Sequence, residues 1–141
     1  MEHLSYFKLA LTDFIAQHHP DKIEDKVFIE ERSGLAEEEF ERCSHMGMTV
    51  SEAKHEATKV LYTGLWFSPF DMVKEIVEEE FDIDEEERHL FIMQMLEYTR
   101  NDFKKFLEHI NDNNEDGEAY MKLYYTIIGS IKLYLEKNGL Q

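Results

Sequence analysis

Apolar side chains recur at helical spacing along almost the whole chain, and nowhere with the alternation that a half-buried strand needs. Leu4, Phe7, Leu11, Phe14, Ile15 and His18 form one stripe that Pro20 stops, which predicts a first helix from about Leu4 to His18. A second stripe, Ile29, Ala36, Phe40 and Cys43, lies between Asp25 and Met46 and ends at Gly47, placed for a C-terminal cap. Ser33 and Gly34 interrupt it, so the pattern allows one bent helix or two short ones. Thr49, Val50, Ser51 and Glu52 form a capping box. The third helix it opens has Val50, Ala53, Ala57, Val60, Leu61 and Gly64 as its expected inner face. The small residues on that face allow a neighbour to approach closely, making this the expected central packing helix.

The chain then turns a corner from Tyr62 to Asp71, a stretch holding its one Trp and one of its two Pro residues. Ser68 is the expected N-cap of a fourth helix, Pro69 its first position and Asp71 its N3 residue. Phe70, Val73, Ile76, Val77 and Phe81 line that helix, and a fifth is expected from Glu85 to Ile110. Its segment from Leu90 to Leu96 is apolar nearly all round, which requires enclosure by the bundle or by a second subunit. Its second half narrows to Phe103, Phe106, Leu107 and Ile110. After a loop from Asn111 to Gly117, a last helix carries Tyr120, Leu123, Tyr124, Ile127, Ile128, Ile131 and Leu135. Gly139 is placed to end it, with Leu140 against Leu135. The expected fold is all-α, a single compact bundle of about six helices forming one domain over residues 1–141, its two helical halves meeting at the corner.

With 141 residues and 43% hydrophobic content, such a core needs no disulfide or metal staple. Cys43 is the single cysteine, the N-terminal stretch carries Glu2, Lys8 and Asp13 where a secretory segment is apolar, and no uncharged run approaches a membrane span. A cytoplasmic protein is expected. Against 15 basic residues stand 31 acidic ones, a formal charge of −16 that repels nucleic-acid phosphates and attracts cations or basic proteins. Eight of the ten residues from Glu78 to Glu87 are acidic. Asp84 to Glu87 suit the first turn of a helix, whereas Glu78 to Glu80 face the negative end of the preceding one, which should fray unless a base or cation lies near it. Glu78, Glu79, Glu80, Asp82, Asp84 and Glu85, with Trp66, Phe67 and Phe70 as an aromatic anchor, form the candidate interaction surface.

Signals for chemistry are incomplete. Asp112 to Gly117 matches the first six positions of a calcium loop, but the twelfth is Leu123 where a bidentate Glu is needed. Glu52-x-x-His55 and Glu86-x-x-His89 have the spacing of di-iron bundles, yet both sit in first turns where Glu caps, and His55 points away from the inner face. Ser68 lacks a nucleophile-elbow context, Cys43 lies on an apolar face, and His18 and His19 read as helix-end residues. No catalytic, cofactor or metal residue is therefore assigned. The expected function is a non-enzymatic interaction or regulatory protein with a basic protein partner, no direct nucleic acid and no membrane, and with a homodimer as one possible assembly. The alternatives are a DNA mimic that engages a basic DNA-binding protein and, from another class, a metal-dependent enzyme or calcium-binding protein.

The stretch Gly64-Leu-Trp-Phe-Ser-Pro-Phe-Asp71 resembles a bacterial family of about this length known only as a domain of unknown function. Leu4-Ser-Tyr, His19-Pro20, Phe28-Ile-x-x-Arg32, Phe81 after its acidic run, Leu123-Tyr-x-x-Ile-x-Gly129 and Tyr134-Leu-Glu136 are similar to it too, so the likeness spans nearly the whole chain. Pro69 departs from the family pattern. The resemblance implies an all-helical fold and genes that lie near conjugative or mobile elements in anaerobic gut and oral bacteria. It implies no activity, cofactor or catalytic residue.

Overall fold

The computed structural model of the chain describes residues 2–109 and 117–138. Seven α-helices and no strand occur among them: α1 (Glu2–His18), α2 (Lys26–His45), α3 (Val50–Leu61), α4 (Pro69–Glu80), α5 (Glu85–Tyr98), α6 (Arg100–His109) and α7 (Gly117–Lys137). A single 3-10 turn at Pro20–Lys22 follows α1. The chain parts into two compact units, Met1–Ser68 and Pro69–Gln141, at the corner where the helix pattern changes hands.

In the first unit, local chemistry sets the helix boundaries. Asp25 accepts from the Phe28 N–H to start α2, and Thr49 and Glu52 complete the capping box that starts α3. The Thr49 N–H holds the Glu52 carboxyl below the usual carboxylate range. α2 runs unbroken through Ser33 and Gly34 and closes in a Schellman motif. Gly47, at φ 92°, donates to Ser44 O at 3.1 Å, and Met48 donates to Cys43 O at 3.2 Å. The core joins Phe7, Leu11 and Ile15 of α1, Ile29, Ala36, Phe40 and Cys43 of α2, and Ala53, Ala57 and Leu61 of α3. α2 and α3 pack most extensively, as the small residues on α3 permit. Val50, expected on that inner face, is instead 61% exposed because it is the first residue of the helix and precedes the packed turns.

Three side chains tie the helix ends of this unit together. Arg32 Nη1 donates to the carbonyls of Leu61 and Thr63, just where α3 runs out of intrahelical donors, and its guanidinium lies 4.7 Å over the Phe28 ring. His19, at the end of α1 where its N–H still donates to Ile15 O, is buried, with Nε2 3.2 Å from Leu65 O, a contact that requires the proton on Nε2. Ser68 donates its hydroxyl to His18 O at the end of α1. Gly64, at φ 79°, supplies the left-handed turn that brings Leu65 back to donate to Tyr62 O.

In the second unit α4 contacts α5 and α7, α5 contacts α6, and α6 contacts α7. Met72, Val73, Ile76 and Val77 of α4, Phe91, Ile92 and Met95 of α5, Phe103 of α6, and Leu123, Ile127, Ile128 and Ile131 of α7 are buried. Ser130 donates to Asp102 Oδ2 at 3.0 Å, linking α7 to α6. The continuous fifth helix expected from Glu85 to Ile110 is broken at Thr99. The buried Thr99 sits at φ −95°, ψ 9°; its N–H and its hydroxyl both donate to Met95 O, at 2.9 and 2.7 Å, and its own carbonyl accepts from the Asp102 and Phe103 N–H groups that start α6. That break is why seven helices stand where about six were expected. Ile110, Gly139 and Leu140 lie outside the described residues.

Two stability changes are expected in the first unit. Arg32→Ala should cost about 1.5–3 kcal/mol in urea unfolding, because two helix-end carbonyls lose a charged donor. Ser33→Ala should be neutral or raise stability by up to about 1 kcal/mol, since the fully buried Ser33 hydroxyl has no hydrogen-bond partner and Ala is the better helix former.

Candidate functional site

The segment between α4 and α5 holds the acidic run. Glu78, Glu79, Glu80, Asp82, Asp84, Glu85, Glu86 and Glu87 are all exposed, while Phe81 and Ile83 are half-buried. α4 stays helical through Glu80 with no base in its last turn. Arg88, from the first turn of α5, reaches back into the connecting segment, its Nη2 donating to Ile83 O at 3.2 Å, three residues beyond the end of α4. Asp84 is the N-cap residue of α5 but makes no side-chain capping bond, which leaves its carboxylate exposed. The field of the acids reaches α7. Partial burial and then Glu75, Glu80 and Glu79 push the Tyr124 phenol up, and partial burial and Glu75 do the same to Tyr120.

Beside this run lies a groove of about 430 Å³, wholly within the second unit. Ile83, Leu90, Phe91 and Leu135 line it with apolar surface, Asp82, Asp84 and Glu87 with carboxylates, and Gln94 completes it. The enclosure expected for the apolar run of α5 holds for Phe91, Ile92 and Met95 but not for Leu90, which is 65% exposed. A rotation of about 100° per residue carries Leu90 past the packed side, so the groove side of α5 stays open to solvent.

The aromatic residues of the candidate surface divide. Phe67 and Phe70 are buried, Phe70 meeting His89 edge-on with ring centroids 6.3 Å apart. Trp66 is 55% exposed and belongs, with Phe67, to the first unit, whereas Phe70 and the acids belong to the second. Glu52 is engaged in the capping box, and Glu56 of the same helix pairs with Lys59 at 3.0 Å. No group of three or more His, Cys, Asp or Glu suited to a metal occurs among the described residues, and of the Asp112 to Gly117 loop all but Gly117 lies outside them. Nor, among the described residues, is any helix long and apolar enough to cross a membrane. Burial, then the neighbouring Glu39 carboxylate, pushes the Cys43 thiol up, while Arg42 holds Glu39 below the usual carboxylate range.

A profile described as Domain of unknown function (DUF1896) matches residues 1–140. The chain belongs to the DUF1896 family. A solved structure, protein PG0816 from Porphyromonas gingivalis, is similar to it at 29% identity and a TM-score of 0.83, over 99% of this chain and 95% of that one. No match is found among curated proteins. Several residues that carried the family resemblance have structural work here. Phe28 and Arg32 stack, Arg32 and His19 hold carbonyls at the end of α3 and at the corner, and Gly64 turns the chain. Sequence reasoning missed Leu90 and Leu135 as site residues. The signal was present at Leu90, whose place in a helix apolar on all sides meant that one side could remain open.

The buried thiol should be inert. Native protein treated with iodoacetamide at pH 8 is expected to keep its intact mass for as long as full alkylation of the urea-unfolded chain takes.

Proposed function

We propose that this protein is a non-enzymatic interaction or regulatory protein that holds a basic protein partner through the acidic surface from Glu78 to Glu87. The observation that carries the reading is the exposure of all eight acids of this run directly beside open apolar surface at Leu90. Carboxylates alone suit any counter-ion. An apolar floor next to them adds a contact that a metal ion or a small cation cannot use and a protein can. The same floor has no counterpart in nucleic acid, which favours a binding surface over a DNA mimic. The displaced ionisable groups of the first unit have local causes, a helix cap at Glu52 and a one-turn ion pair between Glu39 and Arg42, so they support scaffolding and not catalysis. The genomic setting implied by the family resemblance makes a role accessory to a mobile element the natural context.

A pull-down from native-host lysate at low salt tests it, comparing the wild type with a variant carrying Glu78→Gln, Glu79→Gln, Glu80→Gln and Asp82→Asn. A basic protein retained by the wild type, released by about 0.5 M salt and lost from the variant is expected. Equal retention by both proteins would count against the acidic surface.

A further inference from the structure

The partner-binding reading leaves open what shape of partner the surface takes, and α5 supplies an answer. The residues it contributes to the groove are Glu87, Leu90, Phe91 and Gln94. Their spacing is i, i+3, i+4 and i+7, the single stripe by which one helix receives another. Leu135 of α7 and the 82–84 segment also line the groove. The α5 and α7 parts of the lining offer an extended peptide none of the unpaired backbone that strand addition uses, and the short 82–84 segment has its Ile83 carbonyl taken by Arg88.

The charge then selects among helices. Among the described residues the groove is lined by three carboxylates and by no base, so that even with the single cation of the neighbouring Arg88, which donates to Ile83 O, negative charge prevails. A second copy of this chain would bring another three carboxylates and a further formal charge of −16 to the same contact. A helix with lysines or arginines flanking an apolar stripe meets both requirements. Resting on the interaction proposed above, we infer that this groove binds a basic amphipathic helix of a partner protein, with Leu90 and Phe91 as the apolar seat and Asp82, Asp84 and Glu87 as the counter-charges.

The test uses the full chain and two fluorescein-labelled synthetic peptides of identical Leu, Ala and Lys composition. In one the leucines form a single helical stripe, and in the other they are spread around the helix. Fluorescence anisotropy is expected to give at least roughly tenfold tighter binding of the striped peptide. Leu90→Glu gives the sharpest sign. It adds a negative charge, so binding by charge alone would strengthen, whereas helix seating weakens by roughly tenfold for want of its anchor. Because Leu90 is 65% exposed, the variant should fold, which circular dichroism checks; Leu90→Ala serves as a milder second variant and should weaken the striped peptide in the same direction. Asp84→Asn with Glu87→Gln should reduce both affinity and its salt dependence. Equal binding of the two peptides, or tighter binding by Leu90→Glu, overturns the helix inference, and so does failure of the striped peptide to bind the wild type. If the lysate partner is still lost on acid neutralisation but indifferent to Leu90→Glu, the acidic interaction surface stands and only the groove falls. A wild-type dimer in sedimentation velocity that Leu90→Glu converts to monomer would assign the groove to a second copy and overturn the inference.

Discussion

The first unit is held by the satisfaction of carbonyl groups that helices leave behind. An α-helix ends with four carbonyls lacking intrahelical donors, and α1 and α3 both run into the same corner. Arg32 takes Leu61 and Thr63, Ser68 takes His18, and His19 takes Leu65. Every one of these donors is a side chain distant in sequence from its acceptor, so each bond also closes a tertiary contact. Arg32 fits this role better than Lys would, since its planar group can stack on Phe28 and still present an N–H to two carbonyls. Burial of Leu61 and Leu65 then follows from where the chain is pinned.

This also explains how much could be read beforehand. Helix starts were legible because capping is local: Thr49 and Glu52 are three residues apart, and Asp25 and Phe28 likewise. Gly47 was legible for the same reason, its Schellman bonds spanning only a few residues. Arg32 and His19 were not, because their acceptors lie 29 and 46 residues away and no local pattern records such a bond. Thr99 lies between the two extremes. A threonine within a helix is ordinary, and Thr12, Thr58 and Thr126 make the same hydroxyl bond inside unbroken helices, so nothing local to Thr99 announces the break. For the candidate site, composition revealed the acids but not the groove, which needs Leu135 brought in from another helix.

The acidic segment illustrates how a helix can end on the wrong sign of charge. Three glutamates close α4 where the dipole is already negative, at a cost of a few tenths of a kcal/mol or more each. The next helix begins within a few residues, and there the same sign of charge is favourable. Arg88 bridges back from that helix to Ile83 O. The short connection thus sits between an unfavourable and a favourable dipole end, fixed by one cation and with every carboxylate left in solvent.

Those carboxylates bear on the exposure of Leu90. Leu90, 65% exposed, shares its groove with Ile83, Phe91 and Leu135, and a contiguous apolar floor is what self-association would use. Here it is bordered by Asp84 and Glu87, on a molecule of formal charge −16, so that two such grooves repel before their apolar floors can meet. The repulsion is selective. It acts on acidic chains and becomes attraction for basic ones, and dissolved salt screens it over about 8 Å at physiological ionic strength, so it steers an encounter without itself providing tight contact. In the interaction proposed above, the rim therefore supplies discrimination and a salt-sensitive share of the affinity, and the apolar seat supplies the share that salt leaves in place.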